Sequence, residues 1–174
     1  QHTGSEFKKE YGGAVKIWNP DIALGTTRAY EIIPGISAIV QDVTFHEDFP
    51  IMEDKPESGT LYLLYCLQGH LYHKFDKEKD YVLMPQNRSI IVNSAPKEKN
   101  HIILPGGVPL QLTNIYIFPE VLKTGQIRGK DFFSAGLEDI FSKVDSNISF
   151  RHTGPLYSKA LEYLRIIFEH ANPD

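Results

Sequence analysis

The chain has 174 residues, a formal net charge of −4 and one cysteine. Its length suits a single domain, with or without a helical extension, and is sufficient to bury a core. The single cysteine excludes an internal disulfide, the net charge disfavours a domain that grips phosphates by itself, and no apolar run approaches the roughly 20 residues of a membrane-spanning helix.

Residues 1–28 are predicted to form an N-terminal arm. Residues 1–13 have no periodicity and end in two glycines, which is typical of an irregular segment. Residues 15–18 have the composition of a short strand. Trp18, the only tryptophan of the chain, has two interpretations: a core or lid residue, or a ligand contact beside the arm.

Seven segments between residues 36 and 118 have the composition or alternation of β-strands. They are residues 36–45, 61–67, 71–75, 81–84, 89–93, 101–104 and 108–118. Short turns join most of them and no helical pattern separates them, which predicts an antiparallel sandwich or barrel. Residues 61–67 are apolar at nearly every position, as in a strand buried on both faces, and we expect them to pair with residues 71–75 as a hairpin.

Helical spacing replaces strand patterns after Pro119. A first amphipathic helix is predicted over residues 133–144, and a second one opens at residues 153–155 with proline in its first turn. The second helix has an apolar stripe: Tyr157, Leu161, Leu164 and Phe168. This stripe either packs on its own β domain or pairs with the same helix of a second copy.

Three motifs carry a family resemblance: YLLYCLQG at residues 62–69, YVLMPQN at 81–87 and HIILPGG at 101–107. Together they resemble the N-terminal, cupin-like regulatory domain of AraC-type transcription regulators, in the branch that includes the pyochelin-responsive activator. The resemblance implies a mainly β fold, a cupin-like antiparallel jelly-roll barrel over residues 29–122, followed by a helical dimerisation segment over residues 123–174.

The resemblance also implies a function. An unknown small-molecule effector binds in the barrel, the domain forms a homodimer, and effector binding biases an attached helix-turn-helix domain. We expect that domain beyond Asp174, and we expect DNA to be contacted only through it. The implied protein is cytoplasmic, has no cofactor and no membrane contact, and is not an enzyme. The alternatives are a small cupin-fold enzyme, such as an isomerase or dioxygenase, and a sugar-binding cupin module.

Metal-binding cupins place two histidines and a glutamate before the strand glycine and a third histidine beyond the next turns. Counted back from Gly69, the glutamate position holds Tyr62, and residues 55–58 contain no histidine. Only His101 fits the later spacing, and one imidazole is fewer than the three protein ligands of a catalytic metal centre. We therefore predict no metal site and no catalytic residue.

Six residues are predicted to line the cavity of the barrel: Trp18, Tyr62, Leu64, Cys66, Tyr72 and His101. If Tyr62 faces inward, the strand period of two places Leu64 and Cys66 on the same side. Tyr72 and His101 belong to strands whose register has no such anchor. An apolar wall with a few phenol or imidazole groups is typical of small-molecule pockets, although the same side chains could fill a closed core. We interpret Cys66 as a small buried hydrophobe rather than a nucleophile.

Overall fold

The computed structural model describes residues 6–10, 13–53, 60–118, 142–144, 146 and 148–171. This part of the chain contains twelve strands and one 14-residue helix. The strands are β1 (Glu6–Glu10), β2 (Gly13–Ile17), β3 (Ala23–Ile33), β4 (Ile36–Phe45), β5 (Phe49–Glu53), β6 (Thr60–Gln68), β7 (Leu71–Phe75), β8 (Val82–Met84), β9 (Arg88–Ser94), β10 (Asn100–Leu104), β11 (Leu110–Ile117) and β12 (Phe150–Pro155). The helix is α1 (Ser158–Ala171).

The strands form two antiparallel sheets. The large sheet has eight strands in the order β1-β2-β3-β4-β11-β6-β9-β12, and the small sheet has four in the order β5-β10-β7-β8. Between β4 and β11 the chain crosses repeatedly from one sheet to the other, so that β4, β11, β6 and β9 face the four strands of the small sheet. Eight strands arranged in this way make a jelly roll. The predicted fold class, a cupin-like antiparallel jelly roll with helical structure at the C-terminus, is confirmed.

The core lies between the sheets because the strands alternate buried and exposed residues. In β4, for example, Val43 and Phe45 are almost completely buried. Leu110 and Leu112 of β11 and Ile90 of β9 pack in the same cluster. The same cluster includes Leu71, Met84 and Leu104 of the small sheet, so the core closes only when the two sheets are in contact.

Within the predicted N-terminal arm (residues 1–28), residues 6–10, 13–17 and 23–28 form strands. The strand β1 pairs with β2, β2 with β3, and β3 with β4, all antiparallel. Most side chains of β3 are exposed or half-buried, so its sequence lacks the strong apolar alternation on which a prediction depends. The large sheet is consequently wider than the sequence indicated.

The predicted hairpin of residues 61–67 and 71–75 is also corrected. Strand β6 belongs to the large sheet and β7 to the small one, so the two do not pair. Gly69 makes the turn between them with a φ of +81°, and a Cβ there would lie 2.6 Å from the carbonyl oxygen of Pro109. Asn87, in the turn before β9, has a φ of 59°, in the left-handed region that asparagine tolerates better than most residues.

The C-terminal part contains one strand that the sequence analysis missed. Strand β12 pairs with β9 at the edge of the large sheet, and Pro155 is its last residue. Proline lacks a donor and is tolerated at a sheet edge, so the helix begins at Ser158 rather than at residues 153–155. Residues 142–144 are helical, and the rest of the predicted first helix lies outside the described residues. The described residues include no helix long and apolar enough to cross a membrane.

Candidate functional site

A cavity of about 230 Å³ lies between the two sheets. Its wall is mainly apolar, and both sheets contribute to it. Ile39, Leu64, Val92 and Leu112 come from the large sheet; Leu71, Met84, Ile102 and Leu104 come from the small sheet or its neighbouring turn. A concave apolar cavity with a few polar groups is the usual form of a small-molecule site.

Three of the six residues predicted for the wall line this cavity: Trp18, Tyr62 and Leu64. The Trp18 ring packs edge-on against Phe45, with centroids 5.0 Å apart, and its Nε1 donates a hydrogen bond to Oγ1 of Thr27 at 3.0 Å. Lys16 holds its Nζ 3.6 Å from the centre of the same ring. Trp18, which directly follows β2, is therefore fixed in the wall by these contacts, and its role as a ligand contact stays a prediction.

The other three, Cys66, Tyr72 and His101, are not among the lining residues. Cys66 is fully buried beyond the cavity, 3.4 Å from the carbonyl oxygen of Gly69, and burial raises the pKa of its thiol to about 12. This environment fits the interpretation of Cys66 as a buried hydrophobe.

Tyr72 and His101 have the opposite orientation from the one expected. In β7 the buried residues are Leu71, His73 and Phe75, so Tyr72 lies on the other face. In β10 it is Ile102 and Leu104 that line the cavity, while the imidazole of His101 pairs with the carboxylate of Asp76 outside it. A register error of one residue moves every side chain of a strand to the other face.

A cluster of hydrogen-bonded polar side chains lies at one side of the cavity, around Glu53. Tyr116 donates its hydroxyl to Oε1 of Glu53 at 2.9 Å, and Nδ2 of Asn100 donates to Oε2 of Glu53 at 3.3 Å and to the Tyr62 hydroxyl at 3.2 Å. Burial, followed by the nearby Glu53 carboxylate, raises the pKa of both phenols well above the usual value. Both tyrosines therefore remain neutral, and both line the cavity.

His73 is the buried polar residue of the small-sheet wall, and the sequence analysis did not select it. It is 1% exposed, and its Nδ1 accepts a hydrogen bond from Nε of Arg151 at 3.1 Å. Burial and then the positive charge of Arg151 lower its pKa to about 4, although the Asn100 side chain and the carboxylates of Glu78 and Glu53 act in the opposite direction. The ring is consequently neutral at physiological pH.

Arg151 connects this wall to the C-terminal strand. It lies on β12, and its NH2 group donates to Oε2 of Glu78 at 2.5 Å while its Nε holds His73. Burial is the largest single effect on Glu78 and raises its pKa, but the hydrogen bonds from Arg151 and from the backbone of Phe75, together with the nearby positive charge, outweigh it, so that the net shift is downward. Only two residues separate β12 from α1, so a change at the cavity wall has a short path to the helix.

The cavity residues do not fit the metal centre that many cupins contain. The described part of the wall offers one imidazole, His73, and one carboxylate, Glu53, and His73 has one ring nitrogen engaged by Arg151. A catalytic metal centre needs about three protein ligands. Nowhere in the described residues do three His, Cys, Asp or Glu side chains come together as a metal site would require.

The four residues of the predicted dimerisation stripe differ in how far they are buried. Leu164 and Phe168 are buried within the single chain, Leu161 is half-buried, and Tyr157 is 73% exposed. The exposed apolar residues of the helix lie beside the stripe: Tyr163, Ile166 and Ile167. A second copy that docked on this helix would therefore meet Tyr163, Ile166 and Ile167 rather than Leu164 and Phe168.

The fold and the cavity define a cupin-type jelly roll with room for a small molecule. The chain belongs to the family described as the N-terminal domain of the regulatory protein PchR, whose model matches residues 24–170. It is thus an N-terminal regulatory domain of the AraC type of transcription regulators, and the resemblance seen in the sequence is confirmed.

Several solved structures are similar to the chain. A cupin domain of an XRE family transcriptional regulator from Enterobacter cloacae has a TM-score of 0.40 and 12% identity, covering 52% of this chain and 95% of that one. The AraC-like transcriptional activator CuxR has a TM-score of 0.47 and 6% identity, covering 96% of this chain and 50% of that one. A cupin protein from Bacteroides fragilis has a TM-score of 0.40 and 12% identity, covering 65% and 85%. No curated protein matches the chain.

Proposed function

We propose that the chain is the effector-binding and dimerisation domain of a cytoplasmic AraC-type DNA-binding regulator. A small ligand in the cavity biases an attached helix-turn-helix domain, and DNA is contacted only through that domain. The observation that carries the proposal is the cavity of about 230 Å³ between the sheets, with its apolar wall and few polar groups. The family assignment supports a regulatory rather than a catalytic use of this cavity.

The route from the cavity to the helix runs through Arg151. A ligand that contacts His73 changes the hydrogen bond that this ring shares with Arg151, and Arg151 lies on the strand that leads into α1. Since a ligand shifts a conformational equilibrium only by its difference in affinity for two states, the strand β12 must be placed differently with and without ligand. Its edge position, with one neighbouring strand only, makes such a change possible without opening the core.

A comparison of two tryptophan variants tests ligand binding in the cavity. Ile39→Trp adds bulk to the cavity wall, whereas Ile115→Trp adds the same bulk on β11, at a position that does not line the cavity. The protein is equilibrated with a small-molecule extract of its host cells, and retained compounds are identified by mass spectrometry. We expect a compound that the wild type and Ile115→Trp retain and Ile39→Trp loses. Equal retention by all three proteins, or retention by none, would contradict effector binding in this cavity.

The proposed homodimer uses the exposed apolar residues of α1. Tyr163 and Ile167 are one helical turn apart and share a face, and Ile166 lies beside them. Light scattering at tens of micromolar is expected to give the mass of a dimer, and the double variant Tyr163→Glu/Ile167→Glu to give a monomer. Arg165→Glu, an exposed residue on another face of the helix, serves as control and should remain dimeric. A monomeric wild type would contradict the dimer.

A further inference from the structure

Two buried polar atoms of residues that line the cavity make no hydrogen bond of normal geometry within the described residues: Nε2 of His73, although the Asn100 side chain interacts with this ring, and Oδ1 of Asn114. Leaving a buried donor or acceptor unpaired is costly, because the group loses its hydrogen bonds to water and gains none in return. Most such atoms in folded proteins therefore have a partner in the protein, in water or in a ligand. The two atoms lie on opposite sheets, since His73 belongs to β7 and Asn114 to β11.

The hydrogen-bonding role of His73 follows from its other nitrogen. An arginine nitrogen can only donate, so Nδ1 of His73, which Nε of Arg151 contacts at 3.1 Å, carries no proton. The neutral ring then has its proton on Nε2. The wall of the small sheet thus offers the cavity one hydrogen-bond donor.

Asn114 offers the complementary role from the large sheet. Its Oδ1 is an acceptor with no donor nearby, and the side chain lines the same cavity. A molecule that satisfies both atoms carries one acceptor and one donor, and it lies between the two sheets.

The rest of the cavity wall determines the size, the polarity and the charge of the molecule that fits. The lining is mainly apolar, with Leu64, Ile102 and Leu104 among its members. A cavity of roughly 150 Å³ holds benzene, so the 230 Å³ found here has room for one substituted ring. The wall contains one carboxylate, Glu53, and one amine, Lys16, so that neither sign of ligand charge is favoured.

We propose that the effector is an uncharged molecule of about one substituted ring, which accepts a hydrogen bond from Nε2 of His73 and donates one to Oδ1 of Asn114. This inference rests on the proposed function, because it names the class of ligand for the same cavity. By bridging the sheets, such a ligand fixes the distance between His73 and the large sheet, and with it the position of Arg151.

Three small probes of similar size test this ligand class. Benzamide has an acceptor and a donor on one uncharged ring, toluene has neither, and benzoate has charged acceptors without a donor. Binding is followed through the indole signal of Trp18, which lines the cavity and is the only tryptophan. We expect benzamide to bind roughly tenfold more tightly than toluene or benzoate, as a net gain of about one well-made hydrogen bond implies.

Three leucine variants assign that difference to single atoms. His73→Leu and Asn114→Leu should each weaken benzamide binding roughly tenfold and leave toluene binding within about twofold. His101→Leu removes an imidazole outside the cavity and should change neither. His73→Leu also removes one of the two hydrogen-bond partners of Arg151. Asn114→Leu, which leaves Arg151 untouched, therefore decides the matter if the first variant does not fold.

The outcomes separate this inference from the proposed function. If toluene or benzoate shifts the Trp18 signal as strongly as benzamide, the cavity binds ligands but the proposed ligand class is overturned. If benzamide binds best and neither cavity variant weakens it, the assignment to His73 and Asn114 is overturned. If no probe changes the signal, the cavity itself is not a binding site, and the proposed function is contradicted as well.

Discussion

The two walls of the cavity come from sheets that differ in size and polarity. The strands of the large sheet that form its wall have 7 to 10 residues, and each of them is paired on both sides. Those of the small sheet have 3 to 5 residues, and Val82 and Leu83 at its edge are exposed. We expect the large sheet to hold the fold and the small sheet, with fewer contacts, to be the wall that moves.

The largest expected effect on stability comes from the removal of one core side chain from each sheet. Leu110→Ala in the large sheet, where the residue is 0% exposed, should lower the free energy of unfolding by about 3–4 kcal/mol. Ile102→Ala in the small sheet removes a half-buried side chain that already borders the cavity, and should cost about 1–2 kcal/mol. Urea unfolding measures both. Equal losses would show that the two sheets contribute alike.

A somewhat smaller effect is expected from the pH dependence of His73. Its pKa is about 4 in the folded chain, against 6.5 for an ordinary histidine, so between these values only the unfolded chain takes up the proton. The contribution of the neutral His73 ring to the free energy of unfolding is therefore fully present above pH 6.5. It is lost as the pH decreases toward 4, which lowers the free energy of unfolding by up to about 3 kcal/mol.

Urea unfolding of the wild type and of His73→Leu at pH 7, 5.5 and 4.5 measures this contribution. Other acidic groups contribute to both proteins, so the difference between the two curves isolates His73. We expect the wild type to lose more stability than the variant on acidification. Parallel curves would mean that the His73 ring is not held neutral by its surroundings.

The smallest effect concerns the contact between the small-sheet wall and β12. Arg151→Met removes the hydrogen bonds to His73 and Glu78, and because Glu78 is partly exposed we expect a loss of only about 1–2 kcal/mol. Amide hydrogen exchange should become faster in β12 while the centre of the large sheet keeps its protection. Arg88→Met, an exposed residue on the neighbouring β9, is the control. Unchanged exchange in β12 would contradict the route proposed from the cavity to the helix.

The difference between the large and the small sheet also explains how much of the site could be predicted from the sequence. Tyr62 and Leu64 were placed correctly on the wall because Gly69 anchored the phase of β6. In β10 residues 102–104 are all apolar, so the alternation contains no information about which face is inside. In β7 a signal existed: Lys74 is charged and must face outward, which turns His73 inward with its neighbours Leu71 and Phe75.

The positions of most barrel strands were predictable although their pairing was not, and the missed strands have identifiable causes. Pro50 made residues 49–53 look unlike a strand, yet β5 is an edge strand of the small sheet, where proline is tolerated. Strand β12 contains a glycine and a proline and follows a polar linker. Its only partner strand, β9, is far away in sequence, as shown by the hydrogen bond between Asn93 and the carbonyl of Ile148, 55 residues apart. Local patterns do not report such long-range pairing.

The two outer strands of the large sheet determine how copies of this domain can meet. Strand β1 has the sequence EFKKE, and β12 ends in Gly154 and Pro155. The exposed side chains of Lys8 and Lys9 on the β1 edge and the missing amide donor of Pro155 on the β12 edge both disfavour the addition of a strand from another molecule. Copies of the domain are thereby kept from joining edge to edge into a continuous, fibril-like ribbon.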